Sequence, residues 1–138
     1  SPGNVGIGTV TPGAYKLYVN GSAAKTGGGV WSNPSDVRLK DVRGNYTYGL
    51  SDVIKLNPII YNYKKNSGMG VSPDKEFVGF SAQDVQGVIP DAIEQGNDGY
   101  LMLNSEPILW AMLNSIKELK SENDALEKRI EALEVKRK

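Results

Sequence analysis

The sequence has no histidine and no cysteine. Without histidine, the commonest general base and the commonest metal ligand are gone. Without cysteine there is no disulfide scaffold and no thiol nucleophile. Catalysis would have to use serine or threonine with lysine, or carboxylates. Net charge is also lacking: 16 Lys and Arg balance 16 Asp and Glu. That balance gives no reason to expect nucleic acid or an anionic membrane as partner. No apolar run approaches the roughly 20 residues that span a bilayer. Ser1-Pro2-Gly3, without an initiator methionine, reads as the cut end of a longer chain.

What is present falls into three zones. Residues 1–34 are dense in glycine, with Gly3, Gly6, Gly8 and Gly13 early and Gly27-Gly28-Gly29 late. Between them, Leu17 and Val19 alternate with polar or amphipathic neighbours, which is strand periodicity, and Asn20-Gly21 is a turn signal. So short a segment cannot bury a core, so a β-ribbon that pairs with other chains is expected. Residues 35–104 read as a mixed α/β body. Leu50, Val53, Ile54 and Leu56 suit a short helix stopped by Asn57-Pro58. Residues 59–63 and 77–81 read as strands flanking a protruding hairpin tip, 82–88 as a short helix, and 100–103 as a strand. Asp84, Asp91 and Glu94 read as solvated surface charges.

Residues 105–138 read as one long helix, with Ser105 as N-cap and Pro107 in the first turn. Its apolar positions form a heptad repeat. Leu109, Ile116, Asn123 and Ile130 take position a, and Met112, Leu119, Leu126 and Leu133 take position d. Four heptads predict a coiled coil; an amphipathic helix packed on its own domain is the other reading, and both can hold along one helix. Isoleucine at a, leucine at d and a buried asparagine at a lean towards two strands. Arg129 at g meets Glu134 at e of a neighbour favourably, whereas Glu122 meets Glu127 unfavourably.

The body opens with Ser35-Asp36-Val37-Arg38-Leu39-Lys40. In a chain without histidine, a serine–lysine pair is the most economical nucleophile and base. A lysine amine accepts a proton only when neutral, which requires burial or a nearby positive charge to lower its pKa from about 10.4. Arg38 is close enough in sequence to supply that charge. The plainer reading makes Ser35 and Asp36 helix-capping residues, with Asp36 and Lys40 an i,i+4 ion pair. On an ideal helix Ser35 and Lys40 point about 140° apart. They meet only if Ser35 is extended or the lysine comes from another chain.

From Ser35 onward the sequence resembles the intramolecular chaperone auto-processing domains of phage endosialidases, tail spikes, neck appendages and tail fibres, a module also found in the myelin regulatory factor proteins. The resemblance rests on Ser35-Asp36 with Arg38-Leu39-Lys40, on Leu56-Asn57-Pro58 with Tyr61-Asn62-Tyr63, and on residues 78–85 followed by Pro90. Asp98-Gly99-Tyr100-Leu101 and the terminal heptads follow in the family's order. Val5-Gly6-Ile7-Gly8-Thr9, Pro12 and residues 17–21 resemble a repeat of the β-stems that precede such domains.

The resemblance implies an α+β homotrimer with a glycine-rich β-stem (1–34), an auto-processing body (35–104) and a trimerising helix (105–138). It implies a C-terminal chaperone that trimerises the stem of its own precursor and then cuts once, at Pro34–Ser35. Ser35 would be the nucleophile and Lys40 the base, with Asp36 in support. It implies no cofactor, metal, nucleic acid or membrane. Assembly would occur in the bacterial host cytoplasm, the upstream part going to the virion and the chaperone fragment being released. Pro34 departs from the pattern, because its fixed φ restricts the scissile backbone. The alternative is a permanent, non-cleaving trimeric tip or adhesion module. The glycine stem and the lack of a membrane span speak against a membrane-bound transcription-factor module.

Overall fold

The computed structural model describes residues 3–21, 23–24, 26, 32–96 and 98–136. The glycine run 27–29 and the turn residue Asn97 lie outside the described residues. The chain divides into two compact units, residues 1–44 with 60–79 and residues 45–59 with 80–138.

In the first unit, strands β1 (Val5–Ile7) and β2 (Leu17–Val19) pair in parallel, Val5 opposite Leu17 and Ile7 opposite Val19. The ribbon expected to pair with other chains thus pairs first with itself. Its nine-residue return is shorter than most parallel crossovers. Gly8 makes it possible: its φ is +71°, and a Cβ there would lie 2.6 Å from the Asn20 carbonyl oxygen. Two strands of three residues, with Val5, Ile7 and Leu17 exposed, do not make a self-sufficient sheet. The hairpin strands β3 (Ile59–Asn62) and β4 (Glu76–Gly79) pair as the sequence suggests. Tyr61 stacks on Phe77 at 5.6 Å, and Tyr63 meets Phe77 edge-on at 5.4 Å. Such contacts add to area burial by about 0.5–1.5 kcal/mol each. Residues 63–75 form the loop between the strands.

The second unit holds the core. Helix α1 (Leu50–Val53) is short, and helix α2 (Ala82–Gln86) starts at Ser81, whose Oγ accepts the Asp84 N–H at 3.3 Å. A 3₁₀ turn at Pro90–Ala92 leads into β5 (Ile93–Gln95), which pairs antiparallel with β6 (Leu101–Leu103). Helix α3 runs from Glu106 to Val135. Val85, Ile89, Ala92, Ile108 and Ala111 are buried together, with Tyr46, Tyr48, Val53, Leu56, Phe80, Val88 and Ile93 packed around them.

Two features of α3 were not visible in the sequence. Ser105 makes no side-chain capping bond and is itself in helical conformation. Asn104 does that work instead, its Oδ1 accepting the Glu106 N–H at 3.0 Å. The second is the face that packs on the body. It is made by Ile108, Ala111 and Ser115, not by the heptad stripe. Asn114 Nδ2 donates to the carbonyls of Tyr46 and Tyr48, each at 2.9 Å, and the Glu118 carboxylate accepts the Leu50 N–H at 2.9 Å. The heptad residues Leu109, Met112, Ile116, Leu119, Leu126, Ile130 and Leu133 are all exposed in the single chain.

Candidate functional site

The segment before Ser35 has no regular structure from residue 32. Pro34 cannot donate a backbone hydrogen bond and disfavours helix at Asn33. Asp36 is extended, with φ −63° and ψ 130°, and it caps a single 3₁₀ turn, Val37–Leu39. Its Oδ1 accepts the Arg38 N–H at 2.9 Å. The Arg38 guanidinium grips the same carboxylate through Nε (3.0 and 3.1 Å) and Nη2 (2.6 Å). The Leu39 N–H donates to the Asp36 carbonyl at 3.0 Å, and the Lys40 N–H to the Val37 carbonyl at 3.1 Å. The chain then leaves the turn extended at Lys40, φ −118° and ψ 136°.

That geometry removes the obstacle an ideal helix would impose. Lys40 Nζ donates to Ser35 Oγ at 2.6 Å, within one chain. Asp36 pairs with Arg38 rather than Lys40, so its part is to close the turn. The hydrogen bonds from the Arg38 side chain, and then from its backbone N–H, hold the Asp36 carboxyl below the usual carboxylate range. Arg38 is committed to this pair, so its charge is largely matched there. Ser35 and Lys40 are both exposed, and so are the apolar Val37, Leu39 and Val42 beside them.

Elsewhere, Asp84 sits in the first turn of α2, Asp91 in the 3₁₀ turn and Glu94 in β5. Among the described residues no group of three or more His, Cys, Asp or Glu could hold a metal ion. The Tyr46 hydroxyl is buried without a hydrogen-bond partner among the described residues, and burial pushes its pKa up. No signal in the sequence marked Tyr46, Asn114 or Glu118, whose roles depend on contacts across more than 60 residues of chain.

The turn thus brings a serine hydroxyl and a lysine amine, by type a nucleophile and a base, within hydrogen-bond reach. Residues 35–94 match the model of the Peptidase S74 family, chaperone of endosialidase, a match consistent with the intramolecular-chaperone family. The match begins at Ser35 itself.

Proposed function

We propose that this chain is an intramolecular chaperone that gathers three copies of its precursor and then cuts itself free between Pro34 and Ser35. The observation that carries the reading is the 2.6 Å contact from Lys40 Nζ to Ser35 Oγ, at the residue where the family match starts. Lys40, as the neutral amine, takes the Ser35 hydroxyl proton while Oγ attacks the Pro34 carbonyl carbon. The tetrahedral intermediate collapses by breaking the Pro34–Ser35 C–N bond, the proton passing to the Ser35 nitrogen. Water then hydrolyses the resulting ester, leaving a carboxylate on Pro34 and a free amine and hydroxyl on Ser35. A backbone N–H would stabilise the oxyanion, since the side-chain donors of the turn, Arg38 and Lys40, are engaged with Asp36 and Ser35.

Neutrality of the amine is where assembly enters. In the single chain, the pair and its apolar neighbours Val37, Leu39 and Val42 stand exposed. Covering them with adjoining copies would desolvate Lys40 and favour its neutral form. The exposed heptad stripe of α3 supplies the means of gathering those copies. Three copies rather than two follow from the family resemblance, because stem and body must share one symmetry. Cutting conditional on assembly would act as a check on folding. Removal of the chaperone would leave the stem kinetically trapped, because its route of assembly is gone. The precursor would be a phage tail spike, fibre or appendage protein, assembled in the host cytoplasm.

Pro34 favours a second reading, a permanent trimeric tip in which the pair never acts, because its ring restricts the scissile backbone. A denaturing gel separates the two. The unaltered protein gives a fragment starting at Ser35, and Ser35→Ala and Lys40→Ala each stay whole. Efficient cutting in either variant rules out the pair; an uncut parent protein supports the permanent tip.

A further inference from the structure

The first turns of α3 are apolar almost all the way round. Ile108, Leu109, Trp110, Ala111, Met112 and Leu113 follow one another without a polar residue. A helix apolar on every side is buried on every side. Yet only Ile108 and Ala111 of the six are buried in the single chain, and Trp110 and Leu113 remain 50% and 44% exposed.

Helix geometry sorts these residues into three sectors. At about 100° per residue, the body-facing residues Ile108, Ala111, Asn114, Ser115 and Glu118 form one sector. The heptad residues Leu109, Met112, Ile116 and Leu119 form a second. Trp110 and Leu113, at positions b and e, point into a third, about a third of a turn from each of the others. The chain's own body fills the first sector, and neighbouring helices would fill the second. Further along the helix the same b and e positions are charged: Lys117, Lys120, Asp124, Glu127, Glu131 and Glu134. Apolar character in the third sector is thus confined to the stretch of α3 that lies along the body.

In a parallel coiled coil, the g side of each helix faces the e side of the next. Here the g side, Ile108 and Ser115, carries the protomer's own body. The e side of one protomer must therefore meet the body of its neighbour. We infer that Trp110 and Leu113 are the anchors of a second interface, docking onto an adjoining copy beside that copy's Ile108 and its 3₁₀ turn Pro90–Ala92. The coiled coil would join helix to helix, and this contact would join helix to body, fixing each body's rotation about the axis. The inference rests on the self-association proposed above.

Trp110 is its own reporter, because Trp31 is the only other tryptophan. The test uses the full chain with Trp31→Phe, followed by sedimentation equilibrium and by acrylamide quenching of fluorescence across a dilution series. The expected result is a trimer in which Trp110 emission is blue-shifted and shielded, with the shielding lost on dilution. Trp110→Ala and Leu113→Ala should each weaken assembly at least tenfold, as truncation of a buried interface anchor does. Lys117→Ala, at the next b position, should leave it unchanged. Circular dichroism checks that the variants keep their helix, which is expected since both residues lie on the surface of the single chain. A trimer whose Trp110 quenches as freely as in the monomer overturns this interface and leaves the coiled coil standing. A chain that stays monomeric overturns both.

Discussion

Asn114 offers a clean test of how the long helix is fixed to its body. Its single amide nitrogen donates both of its hydrogens, to the Tyr46 and Tyr48 carbonyls, each at 2.9 Å. Asn114→Ala removes both bonds and leaves two part-buried carbonyls without their donor. A hydrogen bond contributes about 0.5–1.5 kcal/mol net, so the pair should cost about 1–3 kcal/mol. Asn114→Asp should cost more at neutral pH. It keeps the shape but aims a carboxylate, which can only accept, at two carbonyl oxygens. Acidification should recover part of the loss, because the protonated carboxyl regains one donor. The assay is urea unfolding followed by circular dichroism, at one protein concentration and at pH 7 and pH 4. Equal midpoints for Asn114→Ala and the parent protein would show that these bonds do not hold residues 46–48 to α3. An Asn114→Asp variant more stable than Asn114→Ala at pH 7 would refute the donor argument.

Other outcomes follow from the same structure. Ile89 is fully buried and among the largest such side chains, so Ile89→Ala should destabilise unfolding equilibria by about 2–5 kcal/mol. Leu126→Asp places a charge in the exposed heptad stripe where no body contact is at stake; light scattering should show loss of assembly with helix α3 otherwise intact. Arg38 lowers the Asp36 pKa, so the carboxylate clamp is present above the ordinary carboxylate pKa and is lost as pH falls through the depressed value. Asp36→Asn should therefore slow the proposed self-cleavage across the neutral range, and a rate equal to the parent's would remove Asp36 from the turn's support.

Much of the architecture could be read directly because it is written in local patterns. The heptads run along 30 residues of uninterrupted helix, and β3, β4 and α2 carry compact apolar and turn signals. Strand β5 was not anticipated: Ile93-Glu94-Gln95 has one apolar residue, and only pairing with β6 makes it a strand. The parallel β1–β2 pair was hidden for a related reason, since its return depends on the left-handed Gly8. In α3 the loudest pattern, the heptad stripe, concealed the face that the chain itself uses. That face contains Ala111 and Ser115, too small and mixed to stand out in a hydropathy reading. The candidate residues Ser35, Asp36 and Lys40 were identifiable by type, through elimination of histidine and cysteine and through resemblance. Their geometry was not, because five residues bring a lysine back to a serine only around a turn such as the one that Asp36 and Arg38 close.

The most direct test of the proposed cut is the intact mass of the purified, denatured protein beside that of Lys40→Arg. Arginine keeps the positive charge and most of the reach but does not give up its proton. The parent protein should appear as two species, one ending at Pro34 and one beginning at Ser35, while Lys40→Arg should appear as one uncut chain. Two species of those masses from Lys40→Arg would contradict the proposal that Lys40 is the base.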